Sequence, residues 1–426
     1  MTREMKNSGV EWIGDIPSEW KLEKNKHCFE LTKNIVGGNF SSYELLSLTK
    51  KGIVIKDVNN SFGKVPESYE TYQSVKKGQL VLCLFDLDCS AVFSGLSNHN
   101  GMISPAYKVY DCKNNIDKKY VAYWFDYCFD GRKYKIYSKS LRYVVNADDF
   151  GDIEIILPTF HEQKRIADFL DSKVTEIDKI ISETKASIEN YKEYKQSIIT
   201  EAVTKGLDKN VPMKDSGIEW IGKIPCEWKV CKLRYLVDKI GDVDHCMPES
   251  TYEGYPYIMT GDLKPTVSII DFDKCKKISK YDYDLLSEKI KPEIGDVILA
   301  RYATIGTVSY VDVSKEFLVS YSCVTIKSNN DLKGKYLFYY IKSKTFEEEI
   351  KKYINANTQG NVGTDSLYRV KVSLPCISEQ QRIIDYLDNK CAEIDNLIAE
   401  KEKLITNLEE YKKSLIYEYV TGKKTI

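Results

Sequence analysis

The feature that most constrains this chain is an internal duplication of its connecting segments. Residues 6–21 return as residues 214–229, with twelve of sixteen residues identical. Residues 157–171 return in the same way as residues 374–388, whereas the interiors between these matched ends differ. A duplicated frame around two divergent inserts predicts one scaffold that carries two different domains, with a pseudo-twofold arrangement.

Composition narrows the class of protein without assigning a function. The 426 residues allow about two to four domains, and 42% hydrophobic with 29% charged residues is typical of a globular chain. We expect no membrane span, because no run of eighteen apolar residues occurs, and the polar N-terminus favours a cytoplasmic location. The net charge of −1 does not exclude nucleic acid, because local patches of charge determine that interaction.

The cysteines do not indicate a metal site. Twelve are scattered along the chain without any Cys-x-x-Cys pair, and the four histidines fit no zinc spacing. We therefore expect free thiols of a reducing cytosol and no bound metal.

Two long helices are predicted, within residues 157–206 and 374–426. From His161 to about Thr204, and again in the second copy, apolar residues recur every three or four positions without proline or glycine. Thr159 and Ser378 are candidate N-caps. The apolar stripe of each helix must pack either against a helix of another chain or against the second long helix of the same chain. We favour an antiparallel coiled coil within the chain, because the duplicate supplies the matching partner.

The intervening residues predict two mixed α/β domains, here called the first and second readers. The first lies within residues 1–156 and the second within residues 207–373, each including its copy of the frame motif, and the overall class is α+β. Short β-branched runs alternate with turns in both. Each reader also has one candidate helix, at residues 119–127 and 335–343.

The first reader contains a basic, aromatic segment that is a candidate DNA contact. Residues 131–143 hold five cations and three tyrosines but no acid. Cations suit phosphates, whereas flat rings and forked donors suit bases. The alternative is a solvated loop anchored by its tyrosines. The candidate residues are Arg132, Lys133, Lys135, Lys139, Arg142 and Tyr143.

The second reader offers a different set of candidates. They are Arg301, Tyr302, Asn357, Gln359 and Asn361. Their amides can pair with adenine edges, or they can simply cap turns.

The sequence favours a binding protein over an enzyme. There is no phosphate-binding GxxxxGK[ST] loop, no GxGxxG after a strand and no Pro-Pro of a DNA methyltransferase motif. The Glu-x-Lys triplets at residues 193–195 and 410–412 lie on the predicted helices, which argues against a nuclease site.

With these motifs in place, the chain resembles the DNA-specificity subunit of type I restriction-modification systems over nearly its full length. The resemblance rests on the frame motifs at Ser8–Trp20 and Ser216–Trp228 and on Leu-Pro-x-x-x-Glu-Gln-x-Arg-Ile at residues 157–166 and 374–383. It also rests on residues 101–107 and 359–363. Gln79 departs from the family pattern, in which aspartate often follows the glycine.

The resemblance implies a non-catalytic subunit. Each reader is then a target recognition domain for one half of a bipartite sequence in double-stranded DNA, and the helix pair sets the spacer. The implied partners are two methyltransferase subunits and the restriction subunits. S-adenosylmethionine, ATP and magnesium belong to those partners, so no cofactor is expected on this chain.

Three alternatives stay open at the level of sequence, one of which is that this copy is a silent or recombining specificity cassette. The chain can instead be a coiled-coil adaptor that binds proteins without touching DNA. Within the family interpretation, Trp12, Trp20, Trp220 and Trp228 either contact the methyltransferase subunits or anchor each reader to the end of a helix.

Overall fold

The structure is a computed structural model that describes residues 3–50, 52–56, 68–302, 304–354 and 360–426. It divides into two units. The first unit comprises Met1–Thr184 together with Glu402–Ile426, and the second comprises Lys185–Lys401. Each long helix therefore contributes one part to each unit.

The two predicted helices are present, at Phe160–Lys205 and Ile377–Val420. The first begins where predicted, because the Thr159 hydroxyl accepts a hydrogen bond from the Glu162 amide at 3.4 Å. The expectation that Ser378 caps the second helix is wrong. Ser378 already lies in the first turn, and Cys376 occupies the position equivalent to Thr159. Both helices end before a glycine with positive φ, Gly206 and Gly422, as expected of a left-handed C-terminal cap.

Within each unit the two helices run antiparallel. In the first unit Phe169 packs on Tyr419 with ring centroids 4.5 Å apart, and Lys412 pairs with Asp178 at 2.7 Å. Residue numbers rise along one helix as they fall along the other. In the second unit Lys195 pairs with Asp395 at 2.5 Å, and the Lys401 ammonium lies 5.7 Å from the centre of the Tyr191 ring. The predicted α+β fold with an antiparallel helix pair inside the chain is confirmed.

The readers share a four-stranded antiparallel sheet with the same strand order. In sheet order its strands are Phe29–Thr32, Lys108–Cys112, Leu80–Leu82 and Ser94–Leu96 in the first reader, and Val237–Gly241, Cys323–Ser328, Val297–Ala300 and Val308–Tyr310 in the second. The shared strand order gives both readers the same core sheet.

Smaller strands complete each unit. In the first unit the pairs are Met5–Asn7 with Asp15–Pro17, Lys21–Lys24 with Glu154–Leu157, Leu46–Thr49 with Gly52–Ile55, and Gln73–Val75 with Gly101–Ile103. In the second they are Met213–Asp215 with Lys223–Pro225, Lys229–Lys232 with Lys371–Leu374, and a sheet of Lys276–Ile278, Tyr255–Ile258 and Leu318–Val319.

Short helices cover the sheets. The first unit has Asn25–Cys28, Lys118–Phe129 and Ala147–Asp152, with 3₁₀ helices Gly37–Ser42 and Asp130–Tyr137. The second has Lys280–Ser287, Gly334–Ile341, Lys344–Lys351 and Thr364–Leu367, with 3₁₀ helices Leu233–Tyr235, Thr260–Asp262 and Val267–Ile269. The principal helix of each reader, Lys118–Phe129 or Gly334–Ile341, packs into one hydrophobic core with the long helices of its unit.

Candidate nucleic-acid interface

In the first reader, the C-terminal end of the predicted DNA-contacting segment, residues 131–143, lies against a loop of the main sheet. The loop comprises residues 83–93, and it contacts residues 138–146, which continue past that segment; we call these two stretches the first loop pair. The Asp86 amide donates to the Arg142 carbonyl at 3.2 Å, and the Val145 amide donates to the Leu84 carbonyl at 2.9 Å. These bonds hold Arg142 and Tyr143 beside the end of the sheet.

The second reader contains an equivalent arrangement, the second loop pair, made of the described residues 301–302, 304–307 and 360–363. The Val362 amide donates to the Arg301 carbonyl at 3.1 Å. The backbones of Tyr302 and Asn361 form an isolated antiparallel β-bridge. Sequence reasoning chose Tyr302 and Asn361 for their chemistry, and the structure places them together. Asn357 and Gln359 lie outside the described residues.

The cations of the first reader's segment have different surroundings. The Arg132 guanidinium donates to the Ser90 carbonyl at 2.6 Å and lies over the Phe129 ring. The Lys133 ammonium donates to the carbonyls of Tyr127 and Asp130, and burial lowers its pKa. These two half-buried side chains hold the segment in place through those hydrogen bonds, so binding a phosphate would compete with bonds they already make.

Of the other three candidates, Lys135 is half-buried, like Arg132 and Lys133, whereas Lys139 and Arg142 are exposed. The Lys135 ammonium lies 4.1 Å from the centre of the Tyr143 ring. Lys139 pairs with Asp149 at 2.7 Å, and this hydrogen bond raises its pKa. Ion pairs at such exposed positions contribute little to stability, so exchanging Asp149 for a phosphate costs little.

The backbone is strained in and next to the first loop pair. Asp86 and Tyr143 within the pair have φ values of 50° and 47°, and Arg132, just before it, has a φ of 56°, in the left-handed region that residues other than glycine rarely adopt. Such strain persists only where the surroundings impose it, and it concentrates at functional sites.

Arg301 is buried rather than presented to a ligand, with only 6% of its surface exposed. Its guanidinium pairs with Asp242, donates to the Tyr321 carbonyl at 3.2 Å and lies 2.9 Å from Nε2 of His245. Arg301, a candidate DNA contact in the sequence, therefore has its guanidinium engaged inside the protein. No sequence pattern pointed to Asp242, His245 and Tyr321. They lie 20 to 59 positions from Arg301, and no motif links them to it.

The four tryptophans of the frame motifs all make contacts inside their own unit. Trp20 and Trp228 are each 1% exposed, and their indole N–H groups donate to Glu162 and Glu379 at 3.0 and 2.9 Å. Both glutamates belong to the duplicated Glu-Gln pair at the start of a long helix. Each buried tryptophan thus joins a frame motif to a helix.

The other two tryptophans contact the readers. Trp12 donates to the Tyr137 hydroxyl at 3.1 Å, and Trp220 donates to Glu349 at 2.7 Å. Burial raises the pKa of Glu349, and the Trp220 hydrogen bond opposes that change. These contacts fit the anchoring interpretation of the frame motifs.

A second duplicated set of bonds attaches each reader's principal helix to the long helices. The side-chain oxygens of Gln163 and Gln380 accept from the amides of Asp117 and Lys333 at 2.9 and 2.8 Å. Likewise Asp171 accepts from Lys119 and Tyr123. The equivalent bonds in the second unit run from Lys335 and Tyr339 to Asp388.

In the described part of the chain, no group of three or more histidine, cysteine or carboxylate side chains is placed to hold a metal ion. No helix in that part is both long and apolar enough to cross a membrane.

Comparison with known proteins identifies the family. Residues 99–190 and 225–409 match the model of the type I restriction modification DNA specificity domain. The type I restriction enzyme MjaVIII specificity subunit of Methanocaldococcus jannaschii is 27% identical over 64% of this chain and 63% of its own length, less than two thirds. The putative type I restriction enzyme MjaX specificity subunit of the same organism is 23% identical over 96% of this chain and 95% of its own length.

Solved structures show the same fold. A chain from a study of complex assembly and conformational transition in the type I R-M system aligns with a TM-score of 0.71 at 14% identity, over 96% of this chain and 99% of its own. The HsdS subunit from Thermoanaerobacter tengcongensis aligns with a TM-score of 0.52 at 15% identity, over 98% of this chain and 100% of its own. Because the family model covers more than half of the residues, this chain belongs to the type I restriction-modification DNA specificity family.

Proposed function

We propose that this chain is the non-catalytic specificity subunit of a type I restriction-modification complex and that each reader contacts one half of a bipartite duplex target through its loop pair. The observation that carries the proposal is the equivalence of the two loop pairs. Residues selected independently for DNA chemistry, Arg142 with Tyr143 and Tyr302 with Asn361, lie on the same part of the same fold.

Within this proposal the candidates divide by their surroundings. Lys135, Lys139 and Arg142 are the phosphate ligands of the first half-site, and Arg142 with Tyr143 also reaches base edges. Tyr302, Asn357, Gln359 and Asn361 contact the second half-site. Arg132, Lys133 and Arg301 position these groups without touching DNA, because their donors are already bonded inside the protein.

The partners follow from the family. Two methyltransferase subunits bind around the helix pair, restriction subunits join them, and the complex works in the cytoplasm where its DNA lies. S-adenosylmethionine, ATP and magnesium are bound by those subunits. The frame tryptophans already have partners within their own units, so we assign them to anchoring, and we assign methyltransferase docking to the outer faces of the long helices.

Selection from a randomised pool of duplex DNA tests the proposal. The full chain assembled with its methyltransferase subunits should enrich two short sequence blocks separated by a fixed spacer. Replacing residues 22–156 with the segment of a relative should change one block only. A coiled-coil adaptor without DNA contact would enrich no sequence and would show no salt-dependent retention on duplex DNA.

A further inference from the structure

We propose that His245 and Tyr321 form a base-reading site of the second reader, with Arg301 as its positioning residue. The inference rests on the proposed function, which it deepens by naming a specificity-determining side chain. All of the groups lie within the second unit, and the site adjoins the second loop pair because Arg301 belongs to both.

The site presents a flat, partly exposed surface. The His245 ring stacks on the Tyr321 ring with centroids 5.1 Å apart and an angle of 24° between the planes. The His245 side chain is 55% exposed. A histidine held flat on an aromatic ring loses much of its rotational freedom, so it contacts a ligand without a further entropic cost of ordering.

The Nε2 atom of His245 lies against the buried pair of Arg301 and Asp242. It is 2.9 Å from Nη2 of Arg301, which only donates, and 3.1 Å from Oδ2 of Asp242, which only accepts. Nε2 therefore accepts from the guanidinium in one tautomer and donates to the carboxylate in the other, and Nδ1 is correspondingly a donor or an acceptor. The major groove offers partners for both: the acceptors N7 and O6 of guanine, N7 of adenine and O4 of thymine, and the amino donors of adenine and cytosine.

Charge at the site is compatible with approach to DNA. The Asp242 carboxylate pairs with Arg301, lies 3.1 Å from Nε2 of His245 and lies 3.5 Å from the Lys289 ammonium. Lys289 contacts Asp244 as well, at 3.2 Å. Two cations therefore offset two carboxylates, and no unpaired acid faces the proposed ligand within this cluster.

Arg301 connects three separate chain segments. Its guanidinium bonds to the loop of Asp242 and His245 and to the carbonyl of Tyr321, while its own carbonyl accepts from Val362. A buried ion pair of this kind adds little stability compared with apolar packing. Its use here is geometric, since one forked side chain sets the spacing between the stack and the second loop pair.

The test is selection from the randomised duplex pool by the full chain assembled with its methyltransferase subunits. His245→Ala and Tyr321→Leu should each lose about tenfold discrimination at one or two positions of a single block, leaving the other block intact. Arg301→Lys should lose discrimination at the same positions, because a lysine ammonium cannot reproduce the fixed, separated donors of the guanidinium. His27→Ala is the matched control, because His27 lies in the first reader with a side-chain exposure of 57%, and it should leave the motif unchanged.

The outcomes separate this inference from the proposed function. If the unaltered protein enriches no motif, the proposed function fails. If it enriches a motif and His245→Ala and Tyr321→Leu enrich the identical one, the base-reading site is refuted. A uniform loss of affinity with an unchanged motif in Arg301→Lys would reduce Arg301 to a purely structural role and overturn its assignment as a positioning residue.

Discussion

Residues of one chemical type have quite different surroundings in this protein. Arg132, Lys133 and Arg142 lie within eleven residues of each other, and composition alone makes them equal candidates for binding phosphate. In the structure Arg132 and Lys133 bond to backbone carbonyls, whereas Arg142 is exposed. A cation whose donors are bonded inside the protein must break those bonds before it can neutralise a phosphate.

This difference predicts opposite results for two alanine substitutions. Arg142→Ala should weaken DNA binding by the assembled complex about three- to tenfold and reduce the slope of log affinity against log salt by about one. Lys133→Ala should leave that slope unchanged and instead lower the melting temperature. Fluorescence anisotropy across a salt series measures both slopes. A flatter slope for Lys133→Ala with an unchanged one for Arg142→Ala would contradict the assignment.

A second residue-scale prediction concerns thiol reactivity. Hydrogen bonds from Ser378 and from the Glu379 amide lower the pKa of Cys376, whereas desolvation and the nearby Asp88 raise that of Cys89. Both thiols are exposed, and the thiolate is the reactive form. At neutral pH, iodoacetamide should therefore alkylate Cys376 several times faster than Cys89, and Ser378→Ala should reduce the difference. Peptide mass spectrometry over time gives the two rates, and equal rates would count against the assigned pKa shifts.

At the scale of elements, the duplicated motifs correspond to duplicated hydrogen bonds. The frame tryptophan bonds to the glutamate of the Glu-Gln pair, and the glutamine bonds to the start of the reader's principal helix. One short motif thus connects three elements. This explains why these residues are repeated although the reader interiors differ.

Removing one of these bonds should destabilise its unit. Trp228→Phe keeps the ring packing but leaves the Glu379 carboxylate without its indole donor, at a cost of about 1–3 kcal/mol of unfolding free energy. Urea denaturation measures this cost, and a double-mutant cycle with Glu379→Gln isolates the bond. Assembly with the methyltransferase subunits should persist. A stable Trp228→Phe variant that fails to assemble would instead support a partner-binding role.

The helices and strands could be predicted from the sequence better than the contacts that their side chains make. The helices follow from a heptad pattern without proline or glycine, and the strands from short β-branched runs. Burial of Arg301 could not be predicted, because its partner Asp242 lies 59 residues away and no local pattern links them. The cap at Cys376 was missed for a simpler reason: Ser378 has the better capping side chain, but the duplication places Cys376 at the position of Thr159.

At the scale of the whole molecule, two equivalent ion pairs connect the sequence duplication to the way the long helices pair. Lys195 of the first long helix pairs with Asp395 of the second, and Lys412 of the second pairs with Asp178 of the first. The two lysines occupy equivalent positions in the duplicated segment, and so do the two aspartates. Each helix therefore supplies the lysine to one ion pair and the aspartate to the other. A chain built from two copies of one segment can satisfy both pairs only if its helices are antiparallel.

This reciprocity allows the helices to be lengthened without breaking their pairing, which tests whether they set the DNA spacer. One heptad inserted after Lys185 and another after Glu402 keeps the apolar stripe in register, at matched positions where the two units divide. Each insertion adds about 10 Å of helix. Duplex DNA rises about 3.4 Å per base pair, so the spacer of the methylated motif should grow by about three base pairs.

The insertion also rotates the second half-site by roughly 100°, given about 10.5 base pairs per turn. Twisting of the DNA or tilting of a reader must absorb this rotation, so we expect weaker binding together with the longer spacer. Sequencing of methylated DNA from cells that express the lengthened chain with its methyltransferase subunits gives the measurement. A control with the heptad in one helix only should lose activity, because the two stripes then no longer match. An active double-insertion variant that still methylates the original spacing would show that the helix pair does not determine the spacer.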